Sequence, residues 1–121
     1  MKKAIALLLA LVMVFALCAC GGDKGTADNG EKVVKIGVFE PASGDSGAGG
    51  KKEMLGMQYA NQETPTVEIG GETYKVELVY SDNGSDSAKA VSAASKLVNE
   101  KVSLVLGSYG SGVSMAGGTV F

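Results

Sequence analysis

The 121-residue chain contains no histidine, no tryptophan and no arginine, and only two cysteines and two prolines. Each absence excludes something. Without His the commonest general base and metal ligand is missing. Without Arg there is no planar fork to grip a carboxylate or phosphate in two places. Both cysteines, Cys18 and Cys20, lie near the N-terminus, so everything after them folds without a disulfide or a free thiol. They do not read as a metal pair either, because no third Cys and no His can complete a site. The 11 basic residues are scattered lysines set against 13 acidic residues, for a net charge of −2. A mildly acidic chain with no basic run is not expected to bind nucleic acid. No apolar run reaches the roughly 20 residues that span a bilayer with comfort.

The N-terminus is nevertheless distinctive. Met1-Lys2-Lys3 is a short cationic flank, and residues 4–19 carry no charge. A cationic flank, a short apolar core and small residues before a cut site describe a secretory signal peptide. Leu17-Cys18-Ala19-Cys20 then resembles the lipobox of bacterial lipoproteins. That resemblance implies a diacylglycerol on the Cys20 thiol, cleavage before it, and export of the remainder to the outer face of the cytoplasmic membrane. The alternative, an uncleaved anchor helix, also leaves the rest of the chain outside, since the lysines favour the cytoplasmic side. Removing residues 1–19 leaves roughly 102 residues, enough for one modest domain, with 9 lysines against 13 acids. Residues 20–31 hold no apolar cluster and read as a flexible linker. Such a segment spans on the order of 20 Å. The folded part, residues 32–121, follows.

Its pattern alternates. Residues 33–39 are β-branched and mostly apolar, as in a strand buried on both faces. Residues 41–50 are rich in Gly and Ser and read as a loop, and residues 51–62 as a helix that Thr64-Pro65 ends. Val67-Glu68-Ile69, Gly70-Gly71 and the run from Glu72 suggest a hairpin, with Tyr74, Val76, Leu78 and Tyr80 on one face of its second arm. Ser85-Asp86-Ser87 offers N-cap oxygens to a helix with Ala90, Val91, Ala94, Leu97 and Val98 on one stripe. Residues 102–106 form the next strand, 107–112 a loop, and Val113 begins a last helix. The order predicts an α/β fold with a largely parallel sheet and flanking helices. Ligands in such sheets bind beyond the carboxyl ends of the strands, which points to the loops 41–50 and 107–112.

The first loop is not a phosphate loop. The Gly that a P-loop needs is replaced by Asp45, and Lys52 stands where Ser or Thr is required. The dinucleotide fingerprint fails on spacing. In the second loop, Ser108-Tyr109-Gly110-Ser111-Gly112 runs into a helix, and Ser111 can serve as its N-cap. Free N–H groups just after it suit an anion such as a ligand carboxylate. Glu40, Asp45 and Asp82 are the only acids near strand ends, and they read as solvated loop carboxylates. No catalytic constellation and no cofactor is expected.

Lys35-Ile36-Gly37-Val38, Pro41-Ala42-Ser43-Gly44, Gly50, Gly56 and Ala60 resemble the opening of the Leu/Ile/Val-binding family of type I periplasmic solute-binding proteins. Asp82, Ala90, Leu97-Val98, residues 102–107 and Ser111 to Met115-Ala116 continue the likeness. The resemblance implies a two-lobed clamp that captures a small amino acid and hands it to the permease subunits of an ABC transporter. A sensor of the same fold and, further off, an exported nucleotide or phosphate enzyme are the alternatives. By the same resemblance Ser111 bonds the amino-acid carboxylate, and Tyr109 and Gly110 line the side-chain pocket. Gly49 takes the place of an aromatic that closes over the ligand, which a glycine cannot do. The family has a second lobe of comparable size, so the likeness also implies that this chain is the first part of a longer protein.

Overall fold

The computed structural model describes residues 30–121. The signal peptide expected at 1–19, the lipidation expected on Cys20 and nearly all of the linker expected at 20–31 lie outside the described residues. The folded part runs β1 (Val33–Val38), α1 (Gly47–Glu63), β2 (Thr66–Ile69), β3 (Glu72–Tyr80), α2 (Ser87–Asn99), β4 (Leu104–Leu106) and α3 (Ser111–Gly118). The sheet order is β2-β3-β1-β4, with β1 parallel to both β3 and β4 and β2 antiparallel to β3. The hairpin turn is Gly70-Gly71, both at positive φ (61° and 82°), where a side chain would be strained.

Strand alternation sends β1 residues to opposite faces. Gly37 and Phe39 face α2 and α3. A Cβ on Gly37 would touch Leu97, Val102 and Val105 at 3.1–3.2 Å, so the missing side chain is what lets Leu97 settle on the central strand. Phe39, Ala90, Ala93, Ala94, Leu97 and Val113 form the buried core. Phe121 packs edge-on against Phe39 at 5.5 Å between ring centres. Val34 and Ile36 face the other way, towards α1.

Three expectations shift. The first helix begins at Gly47 rather than residue 51, because the N–H groups of Gly49 and Gly50 both bond the Ser46 carbonyl. The stripe of α2 is rotated: Ala93 is buried, whereas Val91 and Val98 are 45% and 47% exposed. Small residues face the sheet there because they let the helix approach closely. Asp86 does cap α2, accepting from the Lys89 N–H at 2.8 Å. The last helix starts at Ser111, with Gly110 as N-cap, so Ser111 is its first helical residue and makes no side-chain cap bond.

Candidate functional site

β1 and β4 lie side by side and point the same way, yet the chain leaves β1 for α1 on one face and β4 for α3 on the other. Connections that diverge like this leave a crevice at the strand ends, the usual ligand position in an open α/β sheet. The crevice is present. A cavity of about 220 Å³ is lined by Pro41 and Ser46 from the loop after β1, Ser85 and Ser87 from the start of α2, and Ser108, Tyr109, Gly110, Gly112 and Val113 after β4. No side chain in this lining is charged.

Asp82 holds the rim in shape. Its carboxylate accepts from the N–H groups of Ala42 (2.8 Å), Gly84 (2.8 Å) and Ser43 (3.3 Å) and from the Ser43 hydroxyl (2.6 Å), tying the loop after β1 to the loop after β3. Burial pushes this carboxyl up, but the bonds from Ser43, Gly84 and Ala42 outweigh it and hold Asp82 below the usual carboxylate range. The two loops press together where Gly44, at φ 76°, would place a Cβ 2.1 Å from the Gly84 carbonyl oxygen. Below them Asn83 is fully buried. Its side-chain N–H groups donate to the carbonyls of Phe39 (2.9 Å) and Ser108 (3.3 Å), while its Oδ1 accepts from the Ser85 N–H at 3.0 Å. Asn83 thereby fastens all three strand-end loops. Ser108 shares a hydrogen bond with Ser114 at 2.6 Å, anchoring the last loop to α3.

Tyr109 and Gly110 line the cavity, whereas Ser111 is exposed and lies outside the lining, at the head of α3. Gly49 is not in the lining itself, but the Tyr109 ring lies against it. The first intrahelical bond of α3 is donated by Ser114 to the Gly110 carbonyl, so the N–H groups of Ser111, Gly112 and Val113 come before the helical ladder.

The acids near the strand ends do not line the cavity. Asp82 is occupied by the loops, and Asp45 is exposed. Glu40 is a correction: it is 1% exposed, not a solvated loop carboxylate. Even-numbered β1 residues face α1, so Glu40 is carried inward there, beside Glu53. Neither of its carboxylate oxygens has a donor among the described residues. Burial first, then the side-chain hydrogen bond and charge of Glu53, raises its pKa from 4.5 to about 7. A buried carboxyl without a donor favours its neutral, protonated form, and the neighbouring Glu53 carboxylate favours it further.

Nothing local marks Asn83 as a fastener or Glu40 as buried, since an isolated Asn in a Ser/Asp/Gly turn and a Glu after a strand are both ordinary in loops. Among the described residues no helix is long and apolar enough to cross a membrane, and no cluster of three or more His, Cys, Asp or Glu could hold a metal.

Comparison with known proteins gives a consistent result. The family described as periplasmic binding protein matches residues 33–121. A Leu/Ile/Val-binding protein homolog 2 of Brucella abortus is 33% identical over 104 residues, covering 86% of this chain and 26% of the relative. The leucine-binding protein LivK of Thermotoga maritima superposes with a TM-score of 0.66 at 37% identity, over 73% of this chain and 24% of that one. LivJ of Streptococcus pneumoniae, a branched-chain amino-acid binding protein solved with isoleucine, gives 0.63 at 33% identity, over 74% and 26%. A benzoate-bound solute-binding protein of Rhodopseudomonas palustris gives 0.62 at 28%, over 73% and 24%. The chain therefore spans about a quarter of the length of these relatives, with 26% of the Brucella protein covered. With the family match spanning residues 33–121 and a relative 33% identical over 86% of this chain, the chain belongs to the periplasmic binding protein family.

Proposed function

We propose that this chain supplies the first ligand-binding lobe of an exported solute-binding protein, which captures a small amino acid and delivers it to the permease of an ABC importer. The observation that carries the reading is the cavity at the carboxyl ends of β1, β3 and β4. It is uncharged, lined with hydroxyls, and open to the N-terminus of α3. A carboxylate placed there meets the N–H groups at the head of α3 and the positive end of its dipole, without any arginine. Charge-assisted hydrogen bonds contribute about 1.5–3 kcal/mol each. Two or three of them with modest apolar burial reach micromolar affinity, about −8 kcal/mol. Ser111, Tyr109 and Gly110 are the proposed contacts, and Gly49 acts behind Tyr109. The Brucella, Thermotoga and Streptococcus relatives are named for branched-chain amino acids, which supports the ligand class. The relatives are named as binding proteins, which supports a binding role.

On this reading the working protein carries a second lobe, and Cys20 carries the lipid that keeps it at the membrane. Retention by lipid needs two or more acyl chains, which the lipobox supplies. The test is a thermal-shift screen of the full-length protein against the amino acids, benzoate and nucleotides. An amino acid is expected to raise the melting temperature. A nucleotide doing so while no amino acid does sinks the proposal. Ser111→Ala is expected to weaken amino-acid binding by about 1–3 kcal/mol in calorimetric titration, and an unchanged affinity removes Ser111 from the site.

A further inference from the structure

Two buried polar side chains meet the loop after β4, and they do so differently. Asn83 reaches it with a hydrogen bond to the Ser108 carbonyl, as it reaches the Phe39 carbonyl at the end of β1. Glu40 reaches it with no hydrogen bond at all. A Cβ on Gly107 would stand 3.0 Å from the Glu40 Oε1 and 2.5 Å from the Phe39 carbonyl oxygen, so the carboxyl is packed on the backbone of Gly107. Gly107 has φ 133°, a conformation that favours glycine, and it starts the loop that supplies most of the cavity lining. Glu40 itself directly precedes Pro41, which lines the opposite lip.

The carboxyl suits this position in one protonation state. It is 1% exposed, and neither oxygen has a donor among the described residues. An ionised carboxylate there gives up its hydration for no hydrogen bond in return. The charged group that acts on it from α1 is Glu53, of like sign, while Lys51 and Lys52 of that helix are exposed. β3 ends at the partly exposed Tyr80 and leads to Asp82, whose carboxylate is taken up by Ala42, Ser43 and Gly84. Residues 104–112 hold one titratable side chain, Tyr109, which lies against Gly49. Ionisation therefore drives the Glu40 carboxylate towards water, and leaving its position gives up the contact with Gly107.

We propose that Glu40, in its neutral form, is a positioning residue of the amino-acid site: it seats the start of the loop 107–112, and its ionisation weakens ligand binding. The inference rests on the amino-acid-binding reading above and goes beyond it by making affinity depend on pH. Burial and Glu53 raise the Glu40 pKa to about 7, so the seat is intact below that pH and is lost as the pH rises through it.

The test is calorimetric titration of the full-length protein with leucine, isoleucine, alanine and serine at pH 5.5, 7 and 8.5. The wild type is expected to bind its preferred amino acid about fivefold to tenfold more weakly at pH 8.5 than at pH 5.5, a change within reach of one linked proton. Glu40→Gln keeps the shape and cannot ionise, and is expected to retain its pH 5.5 affinity at pH 8.5. Glu53→Gln removes the like charge and is expected to move the fall to lower pH. Circular dichroism at each pH confirms that the variants are folded. A flat wild-type profile, an equal fall in Glu40→Gln, weak binding by Glu40→Gln at every pH, or a fall that Glu53→Gln leaves in place overturns the inference while leaving amino-acid binding intact. Binding of none of the amino acids at any pH overturns both.

Discussion

On the face of the sheet that carries Gly37 and Phe39, α2 and α3 lie close enough to exclude water fully from Ala90, Ala94 and Leu97. On the face that carries Ile36 and Leu78, α1 leaves an apolar groove of about 780 Å³, flanked by Met57, Val67 and Leu106. Both faces carry apolar strand residues, Val34, Ile36, Val76, Leu78, Leu104 and Leu106 on the open one and Phe39, Val79 and Val105 on the closed one. They differ in their covers. α2 presents Ala90, Ala93, Ala94 and Leu97 as a stripe of small residues around one Leu, whereas α1 exposes Leu55 and Tyr59 by 63% and 65% and offers Gly56 to empty space. Apolar strands do not by themselves make a core; a helix with a matching face must come near.

The contrast can be broken by mutation. Leu97→Ala removes the largest fully buried aliphatic side chain on the closed face. It is expected to lower stability by about 2–5 kcal/mol in urea unfolding, since a well-packed site relaxes only partly around the void. A loss under 1 kcal/mol would mean that the closed face is as loose as the open one.

Glu40 tests the head of the open face. Its folded pKa lies near 7 against 4.5 in the unfolded chain. Between those values the folded state holds a proton that the unfolded state has lost. Stability is therefore highest at and below pH 4.5 as far as this group is concerned, and falls as the pH rises towards and past 7. The full difference corresponds to about 3 kcal/mol. Glu40→Gln, which keeps the shape without the charge, is expected to flatten this fall and to raise stability at pH 8. Unfolding curves for both forms at pH 5 and pH 8 check it, and parallel behaviour would exclude a buried acid there.

The smallest effect is expected at Leu104, 47% exposed on the groove side of β4. Leu104→Ser is expected to change stability by less than about 1 kcal/mol. A loss approaching that of Leu97→Ala would show that the groove is covered in solution.

Much of this architecture is legible in the residues. The Gly70-Gly71 turn, the Asp86 cap, the stop at Thr64-Pro65 and the alternation of strands and helices all follow from local chemistry acting within a few residues. The start of α1 is less legible, because Gly47, Gly49 and Gly50 have poor helix propensity and enter the helix only through the Ser46 carbonyl and the packing of Gly50 on Pro41. The stripe of α2 is half legible. Valine is more apolar than alanine, but the sheet selected Ala93 over Val91 and Val98 because the space is narrow.

The site divides in the same way. Strand–loop–helix order pointed to the loops after β1 and β4 and to Ser111 at a helix start, whereas Tyr109 and Gly110 were implied by the family resemblance. Neither could show that Asn83 fastens three loops, that Glu40 turns inward, or that Ser111 lies outside the lining, since each depends on residues tens of positions away. By itself the sequence determined the α/β class, the order of elements and the end of the sheet where a ligand belongs, because those follow from periodicity and turn chemistry. Only the tertiary structure decided which face is closed and that Tyr109 fills the space Gly49 leaves open, because packing joins residues that local chemistry never brings together.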